Sequence, residues 1–225
     1  MHIEPVAYFR SPLTSRFGVP RQSGLVAGLT GDVVFCPEYR SPEALRGLEG
    51  FDYIWLLWGF SENGRSGWHP TVRPPRLGGN RAAGVFATRS PFRPNPIGLS
   101  AVRISSVEVH TPDGPVIHTL GADLMDGTPI YDIKPYIPYA DSHPEARSGF
   151  APDAPEACLE VVADDAVAGV MGAREFGMLR RLLSLDPRPP YHDDPDRVYG
   201  FTFGGFEVKF TVRDNILTIK SISPA

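Results

Sequence analysis

Glycine and proline decide most of what this chain can become. The 225 residues include 23 Gly and 24 Pro, and these cut the first two-thirds into segments too short for long helices. Between the breaks lie Val33-Val34-Phe35, Tyr53 to Trp58, Gly84 to Thr88, Leu99 to Val109 and Val116 to Leu120, all rich in β-branched and aromatic side chains. Each is expected to be a strand. Ala101 to Val109 alternates in part, which predicts one wet and one buried face. The only helical candidate in this part is Ser41 to Gly47, with Ser41 as cap, Pro42 in the first turn and Gly47 as stop. Many strands with few helices between them predict a barrel or a sandwich.

The last third reads differently. Asp141 to Glu156 is rich in Pro, Ala, Ser and acids and lacks periodicity, as a surface linker does. A strand at Cys158 to Val162 is followed by one helix, Asp165 to Leu185. Its apolar positions Val167, Val170, Met171, Phe176, Leu179, Leu182 and Leu183 recur at helical spacing. Asp164 and Asp165 suit its start and Arg180 and Arg181 its end, and Asp186-Pro187-Arg188-Pro189-Pro190 stops it. A meander closes the chain: Tyr199 to Phe203, Phe206 to Val212 and Leu217 to Ile222, turning at Gly204-Gly205 and Asp214-Asn215.

Charge narrows the function. From Asn63 to Val107 there is no acidic residue but there are seven arginines (Arg65, Arg73, Arg76, Arg81, Arg89, Arg93 and Arg103), within a chain of 22 Lys+Arg and 26 Asp+Glu. Arginine forks on a rigid, loop-rich surface suit bidentate binding of phosphate or carboxylate, and a nucleic-acid backbone fits. The same arginines could instead scatter over a solvated surface and pair with acids from elsewhere. Only Lys134, Lys209 and Lys220 are lysines, a bias that a high-GC genome produces without any functional cause. Cys36 and Cys158 form no CxxC pair and the six histidines show no metal-ligand spacing, so neither a disulfide framework nor a metal site is expected. No G-x-G-x-x-G follows a strand, and neither a P-loop nor a G-x-S-x-G is present. No apolar run approaches the roughly 20 residues of a membrane-spanning helix. Met1-His2-Ile3-Glu4-Pro5 does not open a secretory signal, so a cytoplasmic protein is expected.

Two segments stand out. In Ala87 to Ser100, three prolines and a glycine fix the backbone while Arg89, Arg93 and Asn95 project from it, as a preorganised polar loop or a proline-braced barrel corner would. In Asp123-Leu124-Met125-Asp126-Gly127-Thr128-Pro129-Ile130-Tyr131-Asp132-Ile133-Lys134-Pro135-Tyr136, three acids, a lysine and two tyrosines surround a turn. That segment reads either as a functional cluster or as a hairpin with surface charges.

In this order, the two segments resemble the TrmO family. The likeness extends through Pro20-Arg21-Gln22-Ser23-Gly24-Leu25-Val26, Val72-Arg73-Pro74-Pro75-Arg76-Leu77-Gly78-Gly79-Asn80 and the late Asp186-Pro187-Arg188-Pro189-Pro190-Tyr191, covering about Val6 to Tyr191. The resemblance implies an S-adenosyl-L-methionine-dependent methyltransferase on a β-barrel, acting on tRNA. Its target is the N6 of the adenosine just 3′ of the anticodon, already carrying N6-threonylcarbamoyl. It also implies a homodimer with the cofactor near the subunit interface. The expected organisation is mainly β: a barrel domain over residues 1–142, a linker over 143–157 and a small α+β C-terminal domain over 158–225.

Carried over by motif, the cofactor-binding residues are Pro20, Arg21, Gln22, Arg89, Leu99, Asp123, Leu124, Met125 and Asp126. The resemblance adds Ser61 and Glu62 to the cofactor-binding residues, where relatives often have His-Gln, a departure from the family pattern. The nucleophile implied is a ureido-type nitrogen, poor while it keeps its proton, so a positioned acceptor helps. Asp126 and Asp132 are the candidates, with Lys134 or Tyr136 holding the substrate. Arg93 with Asn95 is expected to read the threonyl carboxylate. Arg73 and Arg76 would take phosphates of the anticodon stem-loop, and Phe92 or Tyr131 would stack on a splayed base. Two other classes remain open: an RNA-binding barrel without catalysis, and an S-adenosyl-L-methionine enzyme acting on a small anion, whose binding would depend weakly on salt.

Overall fold

The computed structural model describes residues 2–61, 68–151, 158–188 and 194–225. In chain order the elements are β1 (Ala7–Arg10), β2 (Thr30–Phe35), β3 (Tyr53–Gly59), β4 (Thr71–Val72), β5 (Ala83–Gly84), β6 (Ile97–Glu108), β7 (Val116–Leu120), β8 (Thr128–Pro135), α1 (Pro138–Asp141), β9 (Glu160–Ala163), α2 (Asp165–Ala168), α3 (Ala173–Ser184), β10 (Tyr199–Phe203), β11 (Phe206–Arg213) and β12 (Ile216–Pro224). Six strands close into a barrel in the order β1-β2-β7-β6-β3-β8, every neighbouring pair antiparallel. Closure leaves no free edge, and it settles barrel against sandwich.

Alternation fills the barrel. On β3, Ile54 and Leu56 point inward, and on β6 Gly98, Ser100 and Val102 do so. Ile54, Leu56 and Val102 form one buried core with Phe9, Val33, Ile117, Leu124 and Ile130. Asp32, His118 and Glu108 sit on adjacent strands β2, β7 and β6. His118 Nδ1 lies 2.7 Å from Asp32 Oδ1 and Nε2 lies 3.4 Å from Glu108 Oε2. Two acceptors on one imidazole need both nitrogens as donors, which is the charged form. Burial, the largest influence, lowers the imidazole pKa, but the hydrogen bonds and charges of Asp32 and Glu108 outweigh it, and the net shift is upward. A raised folded value stabilises below the ordinary imidazole pKa of about 6.5, and that stability is lost as pH rises through the folded value. In thermal melts across pH, the gap between wild type and His118→Gln is therefore expected to be widest below about pH 6 and to shrink toward alkaline pH.

The C-terminal sheet runs β10-β11-β12-β9, with β9 parallel to β12 and the other pairs antiparallel. Its turns fall at Gly204-Gly205 and Asp214-Asn215, all four residues at positive φ, the backbone that a two-residue hairpin turn requires. Met178, Leu179, Leu182 and Leu183 of α3 are buried in this unit's core. That core also takes in Leu13, Val26 and Leu29, with Phe17 and Val19 packed against it. Leu13 bridges to Phe203, and Gly204 N–H donates to the Pro12 carbonyl at 2.8 Å. The segment between β1 and β2 therefore lies against the C-terminal unit.

Three expectations are corrected. The single helix over Asp165 to Leu185 is two, α2 and α3, because the chain leaves helical geometry between Gly169 and Gly172, where Gly172 turns extended (φ −61°, ψ 148°). Gly84 to Thr88 is not a strand: β5 ends at Gly84 and Val85–Ala87 curls into a 3₁₀ turn. Ser41 to Gly47 holds only a 3₁₀ turn, Pro42–Leu45, although Gly47 does stop it at φ 87°. No helix among the described residues is long and apolar enough to cross a membrane, and none of their His, Cys, Asp and Glu groups could hold a metal ion.

Candidate active site

A cavity of about 540 Å³ opens at one end of the barrel, within the size range of small-molecule sites. Three stretches far apart in the chain build its polar wall. Pro20, Arg21 and Gln22 come from the segment between β1 and β2, Arg89 and Arg93 from the proline-rich loop, and Asp123, Leu124 and Met125 from the turn after β7. Hydrogen bonds hold these stretches together. Gly24 N–H donates to the Gly121 carbonyl at 2.8 Å, Ser23 Oγ donates to the Ala101 carbonyl, and Arg89 Nη1 donates to Gln22 Oε1. The Asp123 carboxylate also accepts from the Ser23 backbone N–H.

The apolar wall is Trp58, Gly59 and Phe60 of β3 and its exit, Phe92, and Ile97, Gly98 and Leu99 of β6. The indole of Trp58 meets the Phe60 ring edge-on at 4.4 Å and 62°. It lies over Gly98, where a Cβ would stand 2.3 Å from the ring. Among the described lining residues the charged groups are Arg16, Arg21, Arg89, Arg93 and a single carboxylate, Asp123. Burial pushes the Asp123 carboxyl upward, against the Ser100 hydrogen bond, its own backbone N–H, the Arg89 charge and the Ser23 N–H; the net direction is up. Neither Arg21, Arg89 nor Arg93 has a carboxylate within ion-pair distance among the described residues. Arg93 instead donates to the Thr88 carbonyl at 3.2 Å, which holds its fork at the rim.

Of the residues expected to bind cofactor, Pro20, Arg21, Gln22, Ser61, Arg89, Leu99, Asp123, Leu124 and Met125 line this one cavity. Glu62 lies outside the described residues, as do Pro189, Pro190 and Tyr191 of the late motif. Asp126 is placed elsewhere: its Oδ1 accepts from Ser11 N–H at 3.0 Å, and it faces a separate groove beside Arg10, Asp32, His118 and Arg174. Asp132, Lys134 and Tyr136 do not line the cavity either. Register sets Asp132 beside Leu57 and Lys134 beside Trp55 on the outer side of the barrel, where Lys134 Nζ pairs with Asp132 Oδ2 at 2.9 Å. Tyr136 packs against Trp55 and Tyr53. Arg93 lines the cavity and Asn95 is exposed beyond it. Arg73 and Arg76 are exposed, just after β4 and in the 3₁₀ turn Pro75–Leu77, away from the cavity. Phe92 lines the cavity, whereas Tyr131 lies across Gly59, where a Cβ would meet its hydroxyl at 2.4 Å. Sequence reasoning missed Trp58, Phe60, Gly98 and Ser100; the aromatic run of β3 marked a strand without marking which face would meet a ligand.

Residues 8–142 match the tRNA-methyltransferase O N-terminal domain, and residues 168–225 match the TrmO C-terminal domain. The chain belongs to the TrmO family. It is 40% identical to the tRNA (adenine(37)-N6)-methyltransferase of Escherichia coli K12, over 98% of this chain and 97% of that protein. A Pseudomonas aeruginosa relative, RcsF, assigned to the S-adenosylmethionine-dependent methyltransferases, is 39% identical over 92% of this chain and 90% of its own. The crystal structure of TrmO from Pseudomonas aeruginosa superposes with a TM-score of 0.81 at 31% identity, covering 99% of this chain and 98% of that one. This fold gathers the nine lining residues named above into one cavity.

Proposed function

We propose that this chain transfers a methyl group from S-adenosyl-L-methionine to N6 of adenosine 37 in tRNA, on an adenosine already carrying N6-threonylcarbamoyl. The observation that carries the reading is the cavity at the barrel's end, where one withdrawn carboxylate stands among arginines beside an aromatic wall. Arginines suit the cofactor's carboxylate, Asp123 its cationic groups and the Trp58–Phe60 wall its purine. When bound, the cofactor supplies an electrophilic methyl on a sulfonium. The chain's own contribution is alignment, which is worth roughly 7–11 kcal/mol in favourable cases.

Arg93 is the reader of the threonyl carboxylate, because its fork is held at the cavity rim. Arg73 and Arg76, exposed away from the cavity, take phosphates of the anticodon stem-loop. Binding of a threonylcarbamoylated stem-loop to Arg93→Ala should fall roughly ten- to a hundredfold more than binding of the unmodified one, read by fluorescence anisotropy. Equal losses on both would remove the assignment.

The homodimer is supported by the outer side of β3 and β6, where Ile97 (39%) and Leu99 (52%) are exposed at the cavity and Tyr53 (43%) is exposed at the other end of β3. Asp132, Lys134 and Tyr136 share that side with Tyr53 and Leu99, so roles in proton acceptance or substrate holding depend on what covers it, tRNA or a second protomer. Asp126 accepts from the Ser11 N–H, while Asp132 accepts from the Ile133 N–H and pairs with Lys134. Sedimentation of Tyr53→Glu is expected to show a shift from dimer toward monomer.

The test of the whole reading is methyl transfer from labelled S-adenosyl-L-methionine to tRNA with and without the threonylcarbamoyl group, resolved by nucleoside mass spectrometry. Methyl on the modified adenosine alone supports it. Cofactor binding with no transfer to either RNA keeps the cavity and overturns the substrate. A shallow dependence of substrate binding on salt would point to a small anion instead.

A further inference from the structure

We propose that Ser100, fixed by the indole N–H of Trp58, is a positioning residue that aims the Asp123 carboxylate at the cationic part of the methyl donor. This rests on the reading of the cavity as the donor's site. Ser100 is 3% exposed, and a hydroxyl buried on an inward strand position costs stability unless it is paired. Its Oγ accepts from Trp58 Nε1 at 3.0 Å and donates to Asp123 Oδ1 at 2.6 Å. An indole N–H can only donate. The hydroxyl must therefore accept from Trp58, which leaves its single proton for the carboxylate, and 2.6 Å is the separation of a hydroxyl bonded to a charged oxygen.

The β3–β6 register explains how the relay is assembled. Trp58 pairs with Gly98 and Leu56 with Ser100, so the indole passes over a residue without a side chain to reach a hydroxyl two positions along the neighbouring strand. The geometry holds one carboxylate oxygen in place from behind, while the cavity lies in front. The charged groups facing Asp123 are Arg89, which acts on it directly, with Arg16, Arg21 and Arg93 around the same cavity. All four are guanidinium groups, and Asp123 is the only acidic group lining the cavity among the described residues. Burial favours the neutral carboxyl and the Ser100 hydrogen bond opposes it. Removing that bond raises the pKa further, so donor binding is lost at higher pH.

Calorimetric affinity for S-adenosyl-L-methionine between about pH 5 and 8 tests this, together with a carbon-13 titration of the Asp123 carboxyl in the protein alone. In Ser100→Ala the acid limb of binding and the carboxyl titration should both move up by about one pH unit. Ser100→Thr should restore them and Trp58→Phe should move them partway. If the lone indole N–H unfolds Ser100→Ala, the double variant Ser100→Ala/Trp58→Phe removes both partners together and is expected to show the same shift. A uniform loss of affinity at every pH with an unmoved acid limb would make Ser100 structural and overturn the inference. So would a carboxyl titration that does not move. Donor binding with an unmoved limb sinks only this inference, whereas no binding to the wild type at any pH sinks the reading of the cavity as well.

Discussion

Asp123→Asn should give a folded protein that binds S-adenosyl-L-methionine about ten- to a hundredfold more weakly. The argument is one of charge at constant shape. The side chain keeps its size and can still accept from Ser100, but the cavity loses the only carboxylate among its described lining residues. A hydrogen bond to a charged group contributes roughly 1.5–3 kcal/mol, and a ligand carrying a sulfonium and an ammonium among four arginines meets no other carboxylate among the described lining residues. Stability should move the other way or not at all. Burial already penalises the charged form of Asp123, and an amide carries no such penalty. A melting temperature at or above wild type, with affinity lost, separates binding from folding. Undiminished affinity would show that Asp123 does not serve as counter-charge.

Gly98→Ala is the second large effect. Its Cβ would stand 2.3 Å from the Trp58 ring, and the ring is poorly placed to yield. It is pinned by its N–H to Ser100 on one side and by the edge of Phe60 on the other. Overpacking of this kind costs about 1–3 kcal/mol, and displacing the indole breaks the hydrogen bond besides. Because Trp58 is also cavity wall, cofactor affinity should fall more than tenfold even where the fold survives. Gly177→Ala is the control. Nothing lies within 4 Å of its Cβ position in α3, and it should gain up to about 1 kcal/mol from helix propensity with binding untouched. Chemical denaturation and calorimetry on both variants decide the matter. Retained affinity in Gly98→Ala would mean the wall can move.

How legible all this was depends on which interactions are local. The meander was readable because Gly204-Gly205 and Asp214-Asn215 carry their own turn geometry. Strands β3, β6 and β7 announced themselves by β-branched and aromatic runs. β1 and β8 did not. β1 is four residues long, and Pro129 and Pro135 sit near the two ends of β8, positions where a missing N–H costs little ladder bonding but where the sequence reads as broken. The expected cofactor positions came from resemblance, and the fold brings nine of them into one cavity. The acidic segment shows the limit. Asp123, Asp126 and Asp132 are neighbours in sequence, yet a turn and a strand separate them into cavity, side groove and outer wall. Spacing along a chain cannot reveal that until the register of β8 against β3 is known. The Trp58–Ser100–Asp123 relay was hidden for the same reason, since it exists only across paired strands.

The residues from Leu13 to Leu29 carry a consequence for inheritance. They hold the Pro20-Arg21-Gln22 edge of the cavity, yet their apolar side chains complete the core built from β9 to β12 and α3. The C-terminal unit is therefore poor material for a cassette. A recombination event that exchanged it for a foreign one would leave Leu13, Val26 and Leu29 facing the wrong surface and unseat one wall of the cavity. Two stretches at opposite ends of the chain are bound to vary together, and substitutions in the tail should be answered by substitutions in that early segment.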